Sequence, residues 1–459
     1  MSQDRSFLAT EPVGKLLLRL AIPTVAAQVI NMLYNIVDRV YIGHIPGEGA
    51  LALTGVGVCM PIILIVSAFA ALVASGGAPR ASIAMGEGDH DKAESILGNC
   101  FTLLILIAAV LTAVLLAFNR PLLLTFGASE NTIEYATAYM NLYAVGTIFV
   151  QLTLGMNMFI TAQGFATTGM LSVLIGAVCN IILDPVFIYG FHLGVRGAAL
   201  ATILSQAVSC AWVVRFLCGK KTNLRIRARY MRLKPSVFLP CLALGLATFI
   251  MQASESVISV CFNSSLLQYG GDTAVGAMTI LTSVMQFAML PLQGFGQGAQ
   301  PIISYNFGAK NAGRVRAAFF CLLRCCLCFS IPVWALIQLF PSVFASIFTS
   351  DPALVAFTAP ALRIYTLILG LFGIQISCQM TFTSIGNAKS SILVAVMRKF
   401  ILLLPLIYLM PALFPADKTM AVYMAEPVAD FLSVCFAATL FFFQFRRALR
   451  AMRGETAPA

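Results

Sequence analysis

Charged side chains are scarce in this sequence. Asp, Glu, Lys and Arg make up only 10% of its 459 residues, whereas 59% are hydrophobic. A water-soluble globule of this length needs more charge on its surface, so the composition excludes that class. The apolar residues form long runs rather than short alternating segments. This pattern excludes a transmembrane barrel and predicts membrane-spanning helices.

Metal-binding and catalytic motifs are also missing. The chain has only three His, and its 13 Cys lie mostly inside the apolar runs without a partner motif that would complete a metal site. The sequence contains no His-Glu-x-x-His, no Walker A and no Asp-rich diphosphate motif. We therefore expect neither an enzyme nor a bound cofactor.

The apolar runs divide into twelve spans. They cover residues 15–42, 51–84, 95–118, 132–158, 168–190, 197–218, 237–266, 274–306, 315–340, 353–382, 388–412 and 419–445. With a cytoplasmic N-terminus, 22 of the 29 Lys and Arg lie in or beside inner segments, and the outer loops hold only Arg120, Arg196 and Lys418. This bias predicts a multi-pass protein of a bacterial inner or plasma membrane, with both termini cytoplasmic. The net charge of +11 thus reflects topology and predicts no nucleic-acid partner.

The chain repeats itself. A shift of 222 positions places Gly76 on Gly298, Pro79 on Pro301, Gly86 on Gly308 and Tyr143 on Tyr365, and a shift of 224 places Thr24 on Thr248 and Gln28 on Gln252. Six spans per repeat is an even number, so the halves are parallel and surround a central cavity. We predict an all-α integral membrane protein with an N-terminal lobe (1–218), a basic cytoplasmic linker (219–236), a C-terminal lobe (237–446) and a cytoplasmic tail (447–459).

An acid, an amide and a proline interrupt the fifth span. Asn180 and Asp184 are four residues apart and share one helix face. Pro185 has no N–H to donate, which frees the carbonyl of Ile181 on the same face. An ionisable group at membrane depth is costly and therefore marks a functional site.

Two further polar residues share the depth of Asp184. At about 1.5 Å per residue, Asp38, Asp184 and Thr202 each lie within about 10 Å of the outer end of their helix, and Asn180 lies one turn further in. Oxygen ligands suit a hard cation such as Na⁺, and two close carboxylates can instead share a proton. Either outcome is ion coupling. The structural alternative pairs Asp184 with Arg39 or Arg196.

The second half uses different polar residues. Asp38, Asn180 and Asp184 correspond there to Phe262, Leu402 and Leu406, whereas its own membrane-embedded acids are Glu255, Glu426 and Asp430. We expect Arg398 and Lys399 to pair with Glu426 and Asp430 as a structural cluster, because unpaired charges at that depth are costly.

A substrate cavity is predicted between the halves. Its candidate polar lining is Gln28, Asn31, Tyr34, Asn35, Asn157 and Gln252, and its candidate soft apolar lining is Met251, Met285 and Met289. Amphipathic organic compounds, often cationic, fit such a lining.

Several of these segments resemble multidrug and toxic compound extrusion (MATE) transporters. They are Asp38-Arg39-Val40-Tyr41-Ile42-Gly43, Asn180-x-x-x-Asp184-Pro185, Gly197-Ala198-Ala199-Leu200-Ala201-Thr202 and the Gly-Gln-Gly-Ala-Gln-Pro stretch at 296–301. The resemblance implies efflux of drug-like compounds in exchange for inward Na⁺ or H⁺ by alternating access.

Residue roles also follow from the resemblance. It implies ion coupling at Asp38, Asn180, Asp184, Thr202 and the backbone of Ala198, and a bending point of the first helix at Pro23. Glu255 matches a carboxylate that another branch of the family uses in its C-terminal lobe. It is therefore a candidate for a second coupling site, a substrate counter-ion or a charge neutralised within its lobe. We expect a monomer, with the lipid bilayer and small-molecule substrates as its partners.

The alternative function within transport is a flippase for a lipid-linked saccharide, since related two-half folds move such lipids. A wide basic cavity would favour it. The acidic residues predicted near the centre favour cation export instead.

Overall fold

The first half of the chain forms six spanning helices. The computed structural model describes residues 7–454, and its regular structure in that range is entirely helical. In chain order the helices are α1 (Val13–Gly43), α2 (Gly49–Gly86), α3 (His90–Thr125), α4 (Ile133–Ala162), α5 (Ala166–Pro185, continued by the π-helical turn Val186–Gly190) and α6 (Val195–Cys218).

One helix of the second half is too long for a single span. Pro235–Gly308 comprises 74 residues, which at about 1.5 Å per residue would measure about 110 Å, against about 30 Å of hydrocarbon. At Gly271 the backbone has φ 64° and ψ −160°, a conformation open mainly to glycine. The segment therefore breaks there into α7 (235–270) and α8 (272–308).

The remaining spans complete the predicted number. They are α9 (Ala312–Leu339), α10 (Pro352–Tyr365 and Leu369–Ser384, bent by 41°), α11 (Ala388–Leu413, with the π-helical turn Met397–Leu403) and α12 (Lys418–Met452). The bent pair counts as one span, and so does each half of the long helix. The prediction of twelve membrane helices in two repeated halves is confirmed.

The hydrophobic core shows where the lobes meet. Two buried clusters lie toward the face that carries residues 219–236, here named the linker face, and each contains residues of both lobes. Cys241 of α7 joins the first of these, and Leu16 and Leu17 of α1 join the second. The two clusters toward the opposite face, here named the far face, each belong to one lobe. The lobes therefore touch near the linker face and separate toward the far face.

Two glycines allow α2 and α8 to cross in backbone contact. A Cβ on Gly86 would overlap the carbonyl oxygen of Tyr305, and a Cβ on Gly308 would overlap that of Ile83. Both pairs of positions are related by the 222-residue shift, so each lobe makes the same contact with the other. This crossing closes the linker face.

The floor of the open space lies about halfway along α1. Thr24 Oγ1 donates to the carbonyl of Gly294 at 2.7 Å, and Gln28 Nε2 donates to Gln297 Oε1 at 3.3 Å. The rings of Phe69 and Phe249 meet beside them, with centroids 5.0 Å apart. In residues 7–454, hydrogen bonds and ring contacts between the lobes end at this level, so the space above it opens to the far face.

The basic linker is fixed to the N-terminal lobe. Gln163 Oε1 accepts hydrogen bonds from Thr222 Oγ1 and from the backbone N–H groups of Asn223 and Leu224, each at 2.9 Å. Further contacts are Asn99 with Lys234, Thr102 with Met231, Arg227 with Glu94 and Arg229 with Asp91. The linker therefore moves with the first lobe.

Residues 7–11 bridge the lobes at the linker face, and we name them the N-terminal strap. The carbonyl of Leu8 accepts from Asn306 Nδ2 at 2.9 Å and from Arg314 Nη2 at 3.0 Å, both in the C-terminal lobe. Arg314 Nη2 also donates to the carbonyl of Glu11 at 2.8 Å. Phe7 lies against Gly164 of the N-terminal lobe. The strap thus fastens the closed side.

Candidate functional site

The far ends of α1 and α5 bring two acids together. α1 carries Asp38, and α5 carries Asn180 and Asp184 directly before the π-helical turn Val186–Gly190. The carboxyl groups of Asp38 and Asp184 are in side-chain contact. Asn180 Nδ2 donates to Asp184 Oδ1 at 3.3 Å, and both residues are buried. The structure therefore assembles three of the predicted ion-coupling residues.

Three oxygens of this group have no hydrogen-bond donor. Asp38 Oδ1, Asn180 Oδ1 and Asp184 Oδ2 are buried and unpartnered. Within residues 7–454 neither acid forms an ion pair. Arg39 is exposed, so the structural alternative of a pair with Arg39 or Arg196 does not hold in this state. Buried acceptors without donors are costly, and a monovalent cation or a proton would satisfy them.

Thr202 and Ala198 lie on α6 beside this group. Thr202 Oγ1 donates to the carbonyl of Ala198 at 3.0 Å, which satisfies that carbonyl in the present state. Tyr139 of α4 contacts the Thr202 hydroxyl and lies close to Asp38. The side chain of Tyr139 therefore links Thr202 to the acidic pair.

Sequence reasoning missed a set of tyrosines around the acids. Tyr34, which was assigned to the cavity, lies close to both carboxylates. Tyr139 and Tyr143 stack with centroids 6.3 Å apart, and Tyr189 OH donates to the carbonyl of Tyr41 at 2.6 Å. Tyr143 was visible in the repeat comparison, but nothing in the sequence fixed the rotation of α4 toward α1.

The equivalent region of the second lobe is apolar. Phe262, at the position related to Asp38, is 1% exposed and packs edge to face on Tyr365. Leu402 and Leu406 pack against the same core cluster. The second lobe thus has no counterpart of the Asp38, Asn180 and Asp184 oxygens at the equivalent positions.

The acids of the second lobe are paired with bases. Arg398 donates to Asp430 Oδ1 at 2.8 Å and to Glu426 Oε1 at 3.0 Å. Lys399, expected to share those acids, donates to Glu255 instead. Neighbouring residues on α11 point in different directions, so the two bases reach different helices.

The cavity candidates differ in exposure. Asn31 and Gln252 are exposed above the floor, Asn35 is half-buried and donates from Nδ2 to the carbonyl of Asn31 at 2.6 Å, and Met251 and Met289 are half-buried. Gln28 forms part of the floor. Pro23 is buried below it, within a single helical segment.

Two cavity predictions do not fit this state. Met285 is 8% exposed and packs in the core of the C-terminal lobe, so it does not line the open space in this state. Apolar residues on a membrane helix face either a cavity or a neighbouring helix, and composition does not distinguish them. Asn157 lies beside Gly169 in the closed half, below the floor.

A family comparison decides the classification. The MatE family model matches residues 23–186 and again residues 247–409, once in each lobe. The chain belongs to the MATE family of transporters. Each match covers the first five helices of one repeat, so this MATE chain contains the family unit twice.

Similar proteins support the same classification of this MATE chain. It is 22% identical over 436 residues to the multidrug export protein MepA of Staphylococcus haemolyticus, covering 95% of both chains. It is 25% identical over 416 residues to an FAD transporter of Shewanella oneidensis, covering 88% of this chain and 89% of that protein.

Solved structures show the same fold. A MATE protein crystallised in a bent conformation superposes with a TM-score of 0.92 at 22% identity, covering 99% of this chain and 100% of that one. An outward-facing multidrug resistance MATE transporter superposes with a TM-score of 0.90 at 22% identity, covering 98% and 99%.

Proposed function

We propose that this MATE chain exports amphipathic, often cationic organic compounds in exchange for Na⁺ or H⁺ moving inward. The observation that carries the proposal is the group of three donorless oxygens on Asp38, Asn180 and Asp184. From the positive-inside bias we infer that the linker face is cytoplasmic and that the far face opens outward. An external ion then reaches the site in the state described above.

One helix connects the ion site to the contact between the lobes. Asp38 lies near the far end of α1, and Thr24 and Gln28 on the same helix hold the floor. Binding of an ion removes the repulsion between the adjacent Asp38 and Asp184 carboxylates, which changes how α1 packs on α5. Pro23, which cannot donate a hydrogen bond within the helix, is the point where α1 bends most easily. As α1 rearranges, the protein changes between its outward-open and inward-open states, with the substrate between the two lobes.

The charge of the central space favours cationic cargo. The two acids of the first lobe have no basic partner. Of the exposed polar groups above the floor, Asn31 and Gln252 are neutral amides and the carboxylate of Glu255 is paired with Lys399. A flippase for a lipid-linked saccharide would need basic residues for its diphosphate, and FAD carries the same kind of group. The relatives named multidrug export proteins support export of drug-like compounds as the activity of this chain.

Transport in proteoliposomes tests the proposal. An imposed inward Na⁺ gradient and an imposed pH gradient, applied separately, should identify the ion that drives efflux of a fluorescent cationic dye. Asp184→Asn removes one carboxylate and should lower ion-driven efflux about tenfold or more, because a loss of 1.4 kcal/mol in ion binding already gives tenfold. FAD and a lipid-linked saccharide serve as alternative cargoes.

A matched control separates this effect from a general loss of charge. Glu134 is 74% exposed and pairs with Arg120 on the surface, so Glu134→Gln should leave efflux unchanged. If the Asp184→Asn variant retains efflux at protein amounts equal to those of the control, Asp184 is not part of the coupling site.

A further inference from the structure

The second lobe contains its own cations. In the described part of the chain its three membrane-embedded acids are all in ion pairs, Glu255 with Lys399 and both Glu426 and Asp430 with Arg398. Three acids and two bases leave a formal charge of −1. The first-lobe site has two acids and no base, a formal charge of −2 in a comparable setting.

Both bases lie in the π-helical turn Met397–Leu403 of α11. A π turn accommodates an extra residue in the helix, and such turns occur frequently at functional sites. Here Arg398 reaches α12 and Lys399 reaches α7. The two adjacent basic residues of α11 therefore pair with acids on two different neighbouring helices.

The Glu255 to Lys399 pair has a buried side and an open side. The Lys399 side chain is 3% exposed, whereas the Glu255 side chain is 55% exposed. Glu255 is one turn above Gln252, which is exposed above the floor. The ammonium group therefore approaches the carboxylate from within the protein. It cannot leave without becoming a buried, unpaired charge, which is costly.

We propose that Lys399 is a tethered cation that fills the cation position of the second lobe and confines ion coupling to the first. A dissolved cation at Glu255 would have to compete with an ammonium group held at high local concentration by its own chain. At Asp38 and Asp184 no side-chain base competes. The inference rests on the proposed function in taking the first lobe as the coupling site.

Cation binding to purified protein tests this role. Asp184→Asn removes the first-lobe site, and its melting temperature in detergent should not respond to NaCl exchanged for choline chloride. Adding Lys399→Met leaves the second lobe with a formal charge of −2 and an unoccupied Glu255. The double variant should show a saturable rise of about 3 °C or more with Na⁺, and a further Glu255→Gln should abolish it.

The opposite results overturn the proposal. An Asp184→Asn/Lys399→Met protein that is monodisperse on gel filtration and does not respond to Na⁺ shows that Lys399 does not mask a cation site. If that variant does not fold, the neutral pair Glu255→Gln/Lys399→Met in the otherwise unchanged protein decides the matter. It should export within about twofold of the parent at the same ion-to-drug ratio.

A changed ratio, or a tenfold loss of transport at normal protein amounts, shows that the second lobe takes part in coupling. Failure of the proposed function looks different, because the unchanged protein itself would then lack ion-driven export.

Discussion

Alanine at either crossing glycine should open the linker face. A methyl group on Gly86 or Gly308 would overlap a carbonyl oxygen of the other lobe. An ordinary carbon–oxygen contact needs about 3.3 Å, so the helices must separate by about 1 Å or more. Overpacking of this kind costs about 1–3 kcal/mol. That cost applies only to the state in which the crossing is closed.

The expected effect is a shift between the two states of the transporter. A cost of about 1–3 kcal/mol changes the ratio of inward-open to outward-open protein by about 5- to 150-fold. Spin labels at Asn31→Cys and Gln252→Cys, exposed positions on opposite walls, report the width of the far opening in a background without other cysteines. Pulsed electron resonance then measures the two populations.

Matched controls lie on the same helices. A Cβ on Gly57 of α2 meets nothing within 4 Å, and one on Gly276 of α8 meets only Leu354 at 3.9 Å. Gly57→Ala and Gly276→Ala carry the same gain in helix propensity without the overlap. The reasoning is refuted if the crossing variants match these controls. It also fails if Gly86→Ala and Gly308→Ala differ by more than about tenfold, since the two contacts are related by the repeat.

Two further predictions concern the linker face and the second lobe. Arg314→Ala removes a donor to two carbonyls of the N-terminal strap, so amide hydrogen exchange of residues 7–11 should rise by about tenfold, corresponding to about 1.4 kcal/mol. Unchanged protection would show that the strap is held by apolar packing alone. Arg398→Met leaves two buried carboxylates without a partner, which should cost about 3–5 kcal/mol and strongly reduce the amount of folded protein. The exposed Arg39→Met is the control, and equal yields of both variants would contradict the structural role of Arg398.

The sequence was most informative about depth. Asp38, Asp184 and Thr202 could be assigned to one level because the rise per residue of a helix is constant. The repeat then showed that the second lobe has apolar residues at the equivalent positions. Both inferences depend on position along a helix, which the sequence specifies directly.

The rotation of helices about their own axes was much less predictable. Tyr139 could not be placed beside Asp38, and Lys399 was assigned to α12 rather than to Glu255, because each contact depends on which face of one helix meets another. The burial of Met285 in this state could not be predicted for the same reason. In a membrane protein the lipid-facing, cavity-facing and core-facing sides are all apolar, so the hydrophobic pattern that orients helices in soluble proteins is weak.

The crossing of α2 and α8 has the form of a homodimer interface. Gly86 meets Tyr305 as Gly308 meets Ile83, which is the isologous pattern that a two-fold axis imposes on identical subunits. Each half of the chain therefore presents a surface that is complementary to its own copy. A gene for one six-helix half, duplicated and joined by residues 219–236, would produce this contact at once, and the separate use of acids in the two lobes would follow as the copies diverged.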